Sequence, residues 1–370
     1  MAAKENFFVP NIHPDCSIQK RLFTNTRAKK IAEDFLANGE KHEQEVAQFL
    51  LEWLNPNPYI YVNTSGSTGA PKKIEIFKRH MINSAKATGK FFKCKEGTTA
   101  LLCLSPNYIA GKMMVVRSLV LGWDLEVVAP QVNPMDTLYK HYDFCAMVPL
   151  QLDNSLSRLH LIKKLIVGGG RVSTPLIDLV QGIKTKVFET YGMTETVSHI
   201  AARRLNPKKK EKKEITFFRA LPNITLSVDT RNCLVIKAPL LSYDTIVTND
   251  VVQLKSYKKF LLKGRYDHVI NTGGIKLFPE EIEAKLQKII SHRFFISSLP
   301  DDKLGDRLII IVEDFDRSKN IKRLKEAIEN VTTLTKYQIP KEVYCVPQFI
   351  QTETGKIQRK LTLELVKQTI

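Results

Sequence analysis

The spacing of apolar residues predicts helices and strands in alternation over the first half of the chain. Residues 27–54 have helical periodicity that weakens near Gly39. Residues 59–62 and 74–77 read as short strands, and residues 111–122 read as a helix. Further apolar runs at 100–104, 125–130, 143–149 and 163–170 resemble buried strands. This alternation predicts a large layered α/β domain.

A short helix near residue 175 and a series of short strands after residue 215 complete the predicted pattern. The stretch TPLIDLVQGI predicts a short helix with Thr174 as its N-cap and Pro175 at its first position. After residue 215 short strands follow one another, which predicts a small β-rich subdomain. A helix is predicted over 278–290, within an α+β pattern that continues to the end. The domain boundary is predicted near Arg265, giving domains 1–265 and 266–370.

Composition narrows the function classes only slightly. Of 370 residues, 43% are apolar and 25% charged, which is ordinary for a globular enzyme. No apolar run is long enough to span a membrane, and the N-terminus lacks the features of a signal peptide. The six cysteines form no C-x-x-C pair, so they are expected to be reduced thiols in a cytoplasmic protein.

The chain is strongly basic, with 56 Lys and Arg against 38 Asp and Glu and a net charge of +18. Its densest basic run, PKKKEKKE at 207–214, is interpreted as a solvated surface loop, because glutamates interrupt it. No aromatic residues interleave with this run, so a base-stacking surface is not supported. Nucleic acid is therefore not predicted as a partner.

The stretch NTSGSTGAPKK at 63–73 has the composition of a phosphate-binding loop. Glycines allow the backbone to approach an anion, hydroxyls add hydrogen-bond donors, and lysines add charge. It is not a Walker loop, since Pro71 stands where that pattern needs its second glycine. A solvated Ser/Gly turn is the simpler alternative, but the strands predicted on both sides favour a loop with a fixed position.

Five separated motifs together resemble the adenylate-forming superfamily of acyl-CoA synthetases. They are TSGSTGAPKK, YGMTET, TND, GRYDHVINTGGIKLFPEEIE and TETGKIQRK, in the order in which that family carries them. The resemblance implies that a carboxylate attacks the α-phosphate of ATP and gives an acyl-adenylate and pyrophosphate. A thiol, usually that of CoA, then displaces AMP. The implied substrates and cofactors are a small carboxylic acid, ATP, Mg²⁺ and CoA, with a homodimer left open.

The resemblance also assigns the residues that would bind the phosphates and the adenine. The phosphate loop would grip the β- and γ-phosphates through Thr64, Ser65, Gly66, Ser67, Thr68, Gly69 and Lys72. In the TYGMTET motif, Tyr191 would stack on adenine, Thr194 would contact the α-phosphate and Glu195 would ligate Mg²⁺. Gly168 and Gly169 would line the adenine and acyl pocket.

Four further residues are implied to bind ribose and CoA. Asp250 would bind the ribose hydroxyls, and Arg265 would add a second ribose contact. Gly273 and Gly274 would let the pantetheine arm of CoA pass the backbone.

The C-terminal domain is implied to move during the reaction. It would rotate about Asp267 between the two half-reactions. The domain carries Lys356, the catalytic lysine of the TETGKIQRK motif, which would bridge the carboxylate and the α-phosphate in the transition state. Lys356, Glu195 and Thr194 form the implied catalytic set, while the role of Lys276 stays open.

The short region before the phosphate loop resembles the o-succinylbenzoate–CoA ligases of menaquinone biosynthesis. The implied product is o-succinylbenzoyl-CoA, and the alternative is an adenylation enzyme for another aryl or fatty acid, loading CoA or a carrier protein. A dicarboxylic substrate needs a cation for its unreacting carboxylate. Arg117, on the predicted helix at 111–122, is one candidate, and a helix-surface arginine with no substrate role is the other interpretation.

Overall fold

A computed structural model of the chain describes residues 8–64, 72–207, 217–314, 321–352 and 357–368. The α-helices are α1 (Ala28–Asn38), α2 (Lys41–Leu54), α3 (Lys78–Phe92), α4 (Ile109–Leu121), α5 (Pro149–Asn154), α6 (Thr174–Leu179), α7 (Pro279–Leu286), α8 (Ile321–Glu329) and α9 (Arg359–Lys367). Short 3₁₀ helices lie at Leu156–Leu161, Thr194–Thr196 and Tyr266–His268.

The β-strands fall into a first group that ends at the TYGMTET motif and a second group that follows it. The first group is β1 (Ser17–Ile18), β2 (Arg21–Leu22), β3 (Tyr59–Thr64), β4 (Lys72–Phe77), β5 (Thr99–Leu102), β6 (Asp124–Val127), β7 (Tyr142–Met147), β8 (Ile162–Val167) and β9 (Lys186–Gly192). The second is β10 (His199–Arg204), β11 (Phe218–Ala220), β12 (Thr225–Val228), β13 (Cys233–Lys237), β14 (Ile246–Ser256), β15 (Lys259–Arg265), β16 (Ile270–Thr272), β17 (Ile275–Leu277), β18 (Phe294–Asp301), β19 (Gly305–Glu313) and β20 (Glu342–Val346).

Thirteen of these strands form one sheet. Its order is β12-β13-β14-β15-β11-β10-β9-β8-β7-β5-β6-β1-β2. The strands from β9 through β8, β7, β5 and β6 to β1 are parallel. Strand β7 is almost wholly buried, and β8 is buried over its last three residues, as expected for parallel strands covered on both faces. The predicted α/β class is confirmed.

Helix α4 packs against helices α2 and α3 and against strands β1, β5 and β6. Every residue from Gly111 to Leu119 is buried, including Lys112 and Arg117, so this helix is covered by protein on all sides. A Cβ at Gly111 would lie 2.3 Å from the carbonyl oxygen of Ser105, so only glycine permits this close approach.

Two helix ends differ from or refine the sequence pattern. The weak periodicity near Gly39 marks the gap between α1 and α2, where Glu40 and Glu43 form the capping box of α2. The prediction that Thr174 is the N-cap of α6 is wrong, because the Ser173 hydroxyl accepts the hydrogen bond from the Leu176 amide, at 3.3 Å.

The β-rich part of the chain extends the large sheet with antiparallel strands. Strand β9 pairs with β10, and β11 to β15 continue the sheet beyond it. This edge has its own core, in which the rings of Phe218 and Phe260 stack 5.3 Å apart. The predicted β-rich subdomain is therefore joined to the main sheet.

The last hundred residues form a separate sheet with three helices. Its order is β17-β16-β19-β18, and β20 pairs in parallel with β19. Strand β15 of the large sheet ends at Arg265, and this second sheet begins at Ile270. Across the described ranges, none of the helices is both long and apolar enough to cross a membrane.

Candidate active site

The carboxyl ends of the parallel strands gather several of the residues predicted from the motifs. In open α/β sheets this edge is the usual place for a ligand site. Gly168 follows β8 directly, and Tyr191 lies one residue before the end of the neighbouring strand β9. The two motifs that contain them are therefore adjacent in space, as β8 and β9 are paired.

The glycine loop after β8 fits closely against β9. A Cβ at Gly168 would lie 2.7 Å from the Thr190 hydroxyl, which donates a hydrogen bond to the Val167 carbonyl. The backbone of Gly169 has a φ of +79°, a conformation that favours glycine. The local structure therefore favours glycine at both positions, in addition to the predicted role of these two residues in the pocket.

A buried glutamate that the sequence analysis missed holds the far end of this loop. Glu189 accepts a hydrogen bond from the Val172 amide at 3.1 Å and pairs with Arg203 at 2.6 Å. Because the carboxylate is nearly inaccessible, its pairing with Arg203 is what makes its burial tolerable. In the sequence, the only sign of this burial is the position of Glu189 in β9, where every second residue faces the interior.

Three predicted nucleotide-binding residues come together although they are far apart in sequence. The hydroxyl of Tyr191 donates a 2.5 Å hydrogen bond to Asp250 Oδ2. Asp250 and Arg265 face each other across β14 and β15, with Arg265 Nη1 3.9 Å from Asp250 Oδ1. Arg265 also donates to Asp267 at 3.0 Å. A carboxylate flanked by a phenol and a guanidinium suits the recognition of ribose hydroxyls.

The electrostatics of this cluster follow from its contacts. Burial, and then the charge of Asp250, raise the pKa of Tyr191 far above its usual value, so the phenol remains a hydrogen-bond donor. The hydrogen bond to Asp267 raises the pKa of Arg265. Tyr191 is 9% exposed and its ring packs edge-on against Phe260, so its main observed contact is with Asp250. Its stacking on adenine stays a prediction.

The turn after β9 presents Glu195 to solvent. The buried Thr196 hydroxyl donates within the turn, to the Met193 and Ser198 carbonyls at 2.9 and 2.8 Å, and receives the Met193 amide. Thr194 is half-buried, and Glu195 is exposed with no ion pair to any described residue. An open carboxylate on a fixed turn is the kind of group that binds Mg²⁺, which is usually held by one or two carboxylates plus phosphate oxygens, so the predicted role of Glu195 stays a prediction.

Most of the predicted phosphate loop lies outside the described residues. Ser65, Gly66, Ser67, Thr68 and Gly69 lie outside the described residues. Thr64 and Lys72 form the last backbone pair of the antiparallel strands β3 and β4, so the two ends of the loop sequence are adjacent.

Lys356 also lies outside the described residues, but the chain just after it is anchored. Arg359, the first residue of α9, forms two hydrogen bonds with the Glu283 carboxylate, at 2.7 and 2.8 Å. Glu283 in turn accepts the Ile296 amide at 2.9 Å. Helix α9 is therefore fixed to the second sheet close to the predicted catalytic lysine.

The two glycines predicted for CoA form the tip of the hairpin between β16 and β17. Gly273 and Gly274 have φ values of +57° and +79°, and the Gly273 amide donates to the Leu304 carbonyl at 2.8 Å. The tight turn therefore requires these glycines by itself. A Cβ at Gly274 would meet no described atom within 4 Å, so the tip is open.

The C-terminal part of the chain is docked against the glycine loop through α7. Arg171 donates to the Glu280 carbonyl at 2.9 Å. The Thr174 hydroxyl donates to the Ala284 carbonyl at 3.1 Å, which explains why it is not available as a helix cap. Lys288 pairs with Asp178 at 2.9 Å.

Arg117 is buried inside the fold, so the interpretation of a helix-surface arginine is wrong. It is 2% exposed, and no described carboxylate pairs with it. Its Nη1 donates only to the Met114 sulfur at 3.5 Å, and its Nε has no hydrogen-bond partner among the described residues. Burial lowers the pKa of Arg117 to about 10, well below the usual value of an arginine, and the group still carries its charge at neutral pH.

A buried histidine lies within the electrostatic reach of Arg117. Burial first, and then the charge of Arg117, lower the pKa of His199 well below its usual value, so the imidazole is neutral. His199 opposes Gly192 across β9 and β10, and its Nε2 is 3.5 Å from the Thr88 hydroxyl. The sequence pattern gave no signal for this residue.

Comparison with known proteins identifies the class of this fold and site. A family model described as AMP-binding enzyme matches residues 13–234, which is more than half of the chain. The chain therefore belongs to the family of AMP-binding enzymes, and the resemblance seen in the motifs is confirmed at that level.

Relatives with assigned names cover most of the chain. A 2-succinylbenzoate–CoA ligase of Staphylococcus epidermidis is 27% identical over 352 residues, covering 87% of this chain and 72% of the relative. A probable 2-succinylbenzoate–CoA ligase of Mycobacterium tuberculosis is 26% identical over 328 residues, covering 83% and 84%.

Solved structures show the same fold. A Dyadobacter fermentans protein described as acyl-CoA synthetase (AMP-forming)/AMP-acid ligase II-like is 33% identical, with a TM-score of 0.60, covering 92% of this chain and 98% of that one. The o-succinylbenzoate CoA synthetase of Bacillus subtilis, solved with ATP and magnesium, has a TM-score of 0.70 at 18% identity, covering 92% and 82%. The second likeness supports the fold alone.

Proposed function

We propose that this chain is an AMP-forming acid–thiol ligase that converts o-succinylbenzoate (2-succinylbenzoate) into its CoA thioester. The observation that supports the ligase chemistry most directly is the cluster of Tyr191, Asp250 and Arg265 beside the exposed Glu195 turn. If Asp250 binds the ribose and Glu195 binds the metal ion, the two carboxylates would hold ATP with its α-phosphate in place for attack. The named relatives support the same reaction and its use of ATP, Mg²⁺ and CoA.

The choice of a dicarboxylic acid is supported by Arg117. A buried guanidinium without an anionic partner is costly, and proteins normally pair or neutralise such a group. The succinyl carboxylate of the substrate would provide the missing partner in a bidentate contact. The neutral His199 beside it adds a donor or acceptor without competing for the anion.

The first half-reaction joins two anions. A carboxylate oxygen of the acid attacks the α-phosphorus, the bond to the bridging oxygen breaks, and pyrophosphate leaves. Lys356 would place its ammonium between the carboxylate and the α-phosphate oxygens, while Thr194 donates a hydrogen bond to the latter. Mg²⁺ held by Glu195 would supply charge neutralisation at the phosphates.

The second half-reaction breaks the mixed anhydride. The thiolate of CoA attacks the acyl carbon, the C–O bond breaks, and AMP leaves with the former carboxylate oxygen. We infer that residues 266–370 rotate about Asp267 between the two steps and bring Gly273 and Gly274 to the thiol channel. The contacts of α7 with the glycine loop would then belong to one of the two orientations.

An ATP–pyrophosphate exchange assay tests the substrate. Labelled pyrophosphate should enter ATP when 2-succinylbenzoate is present, and much less with benzoate, 2-methylbenzoate or a fatty acid. Exchange with benzoates or fatty acids and none with 2-succinylbenzoate would remove the named acid and leave only the family reaction.

A carrier protein is the second candidate for the thiol. The net charge of +18 would suit an acidic carrier bearing phosphopantetheine. Offering CoA and such a carrier in parallel distinguishes the two, since a steep preference for the carrier would exclude the CoA-ligase assignment.

We also infer a cytoplasmic location. All six cysteines are thiols that form no disulfide, as expected in a reducing compartment. A homodimer stays open, and the mass in solution would decide it.

A further inference from the structure

A large basic cleft lies away from the residues assigned to ATP, acid and CoA. It has a volume of about 1060 Å³. It is formed by the end of α3, strand β11, the turn between β14 and β15, and the far ends of β9 and β10. Tyr191 lies toward the opposite end of β9, so this cleft is separate from the candidate active site.

The charged side chains among the described residues that line the cleft are all of one sign. Eight of its sixteen described lining residues are Lys or Arg, and none is Asp or Glu. Lys90, Lys93, Arg219 and Lys255 are exposed, and none of them pairs with a described carboxylate. Like charges that converge in a concave site produce a strong positive potential, which attracts and holds anions.

Part of the wall is apolar, and two of the cations are held by contacts with their neighbours. Phe91, Phe188 and Phe217 line the cleft, and Lys255 Nζ lies 4.8 Å above the Phe217 ring. Arg203 is oriented by Glu189 at 2.6 Å. An apolar floor with converging charged groups in a concave site is the usual form of a small-molecule site.

We propose that this cleft binds a compact polyphosphate, either inorganic or carried by a nucleotide. A ligand that carries several negative charges matches the number of cations in the cleft better than a singly charged anion does. The concave form of the cleft favours a short phosphate chain over a nucleic acid, which needs an extended basic track. The phenylalanines offer a stacking surface if the phosphates are attached to a base.

Calorimetric titration of the full chain with inorganic tripolyphosphate tests the site. The cleft variant is Lys90→Glu/Arg219→Glu, and the control is Lys30→Glu/Lys184→Glu, which changes the net charge equally at exposed positions outside the cleft. The wild type and the control should bind one equivalent of tripolyphosphate that the cleft variant does not bind. If the cleft variant still binds this equivalent, its affinity should be at least about tenfold lower, which is 1.4 kcal/mol. ATP–pyrophosphate exchange should be unchanged in the cleft variant.

Identical isotherms for all three proteins would overturn the proposal, as would an equal loss of binding in both variants. A single-stranded oligonucleotide that binds at the cleft when tripolyphosphate does not would also overturn it. A second titration with GTP identifies the source of the phosphates: tighter binding than tripolyphosphate indicates a nucleotide, and equal binding indicates an inorganic chain. Because exchange is measured separately, this result is independent of the ligase proposal.

Discussion

Replacing Arg117 with methionine should stabilise the protein and impair its use of the acid. Burial depresses the pKa of Arg117 to about 10, well below the usual value of an arginine. At 1.36 kcal/mol per pKa unit, this corresponds to about 3 kcal/mol of destabilisation. The charged form is the one that is disfavoured, so the cost is fully present at neutral pH and disappears only as the pH rises above the folded-state pKa.

The gain in the variant should be smaller than the whole cost, because methionine fills the space imperfectly. We expect the free energy of unfolding without substrates to rise by about 1–3 kcal/mol. Loss of a buried charge pair with the succinyl carboxylate typically costs about 2–5 kcal/mol. The KM for 2-succinylbenzoate should therefore rise at least about 30-fold, while weak exchange with benzoate stays unchanged.

Denaturant unfolding and ATP–pyrophosphate exchange measure the two effects. Arg158→Met is the matched control, since Arg158 lies in the 3₁₀ helix Leu156–Leu161 and donates to the Leu138 carbonyl at 2.9 Å, away from α4. It should not gain stability or change the KM. If Arg117→Met is less stable than wild type and keeps a normal KM for 2-succinylbenzoate, the reasoning about Arg117 is refuted.

Four further predictions follow from the site. Glu195→Gln should lower the adenylation rate at least about tenfold, with partial recovery at high Mg²⁺. Lys356→Ala should slow adenylation by about 10²–10³ and leave thioester formation from a supplied acyl-adenylate nearly intact, whereas Gly274→Leu should do the reverse. His199→Gln should flatten the pH dependence of stability below pH 6.5. Because the folded-state pKa of His199 is depressed, its contribution is complete above pH 6.5 and is lost as the pH falls, by up to 1.36 kcal/mol per pH unit. Gly192→Ala should destabilise the fold by about 1–3 kcal/mol, since its Cβ would lie 2.4 and 2.5 Å from backbone atoms of the following strand.

Each of these predictions has a contradicting result. A normal metal dependence in Glu195→Gln removes that residue from the metal site. Equal slowing of both steps in Lys356→Ala means that the domain does not alternate. An unchanged pH profile in His199→Gln, or wild-type stability in Gly192→Ala, would show that the contacts around the turn are misassigned.

The sequence predicted the elements well because local patterns specify them. The apolar runs of β7 and β8 and the mostly apolar α4 are visible without tertiary information. The motif residues Tyr191, Asp250 and Arg265 were found through resemblance, and the structure brings them into one cluster.

Other features depend on contacts between distant segments, which one sequence does not reveal. Ser173 caps α6 because the Thr174 hydroxyl is engaged by α7, more than a hundred residues away. The burial of Arg117 results from the packing of α4 on all sides. Nothing in the local pattern distinguishes His199 from an ordinary core residue.

The path of one carboxylate oxygen tests the central claim most directly. The acid, labelled with ¹⁸O in its carboxylates, is incubated with the protein, ATP, Mg²⁺ and CoA, and the products are analysed by mass spectrometry. Attack on the α-phosphorus followed by thiol displacement must leave one ¹⁸O in AMP and none in pyrophosphate. Labelled inorganic phosphate with ADP as the co-product, or unlabelled AMP, would contradict the acyl-adenylate mechanism.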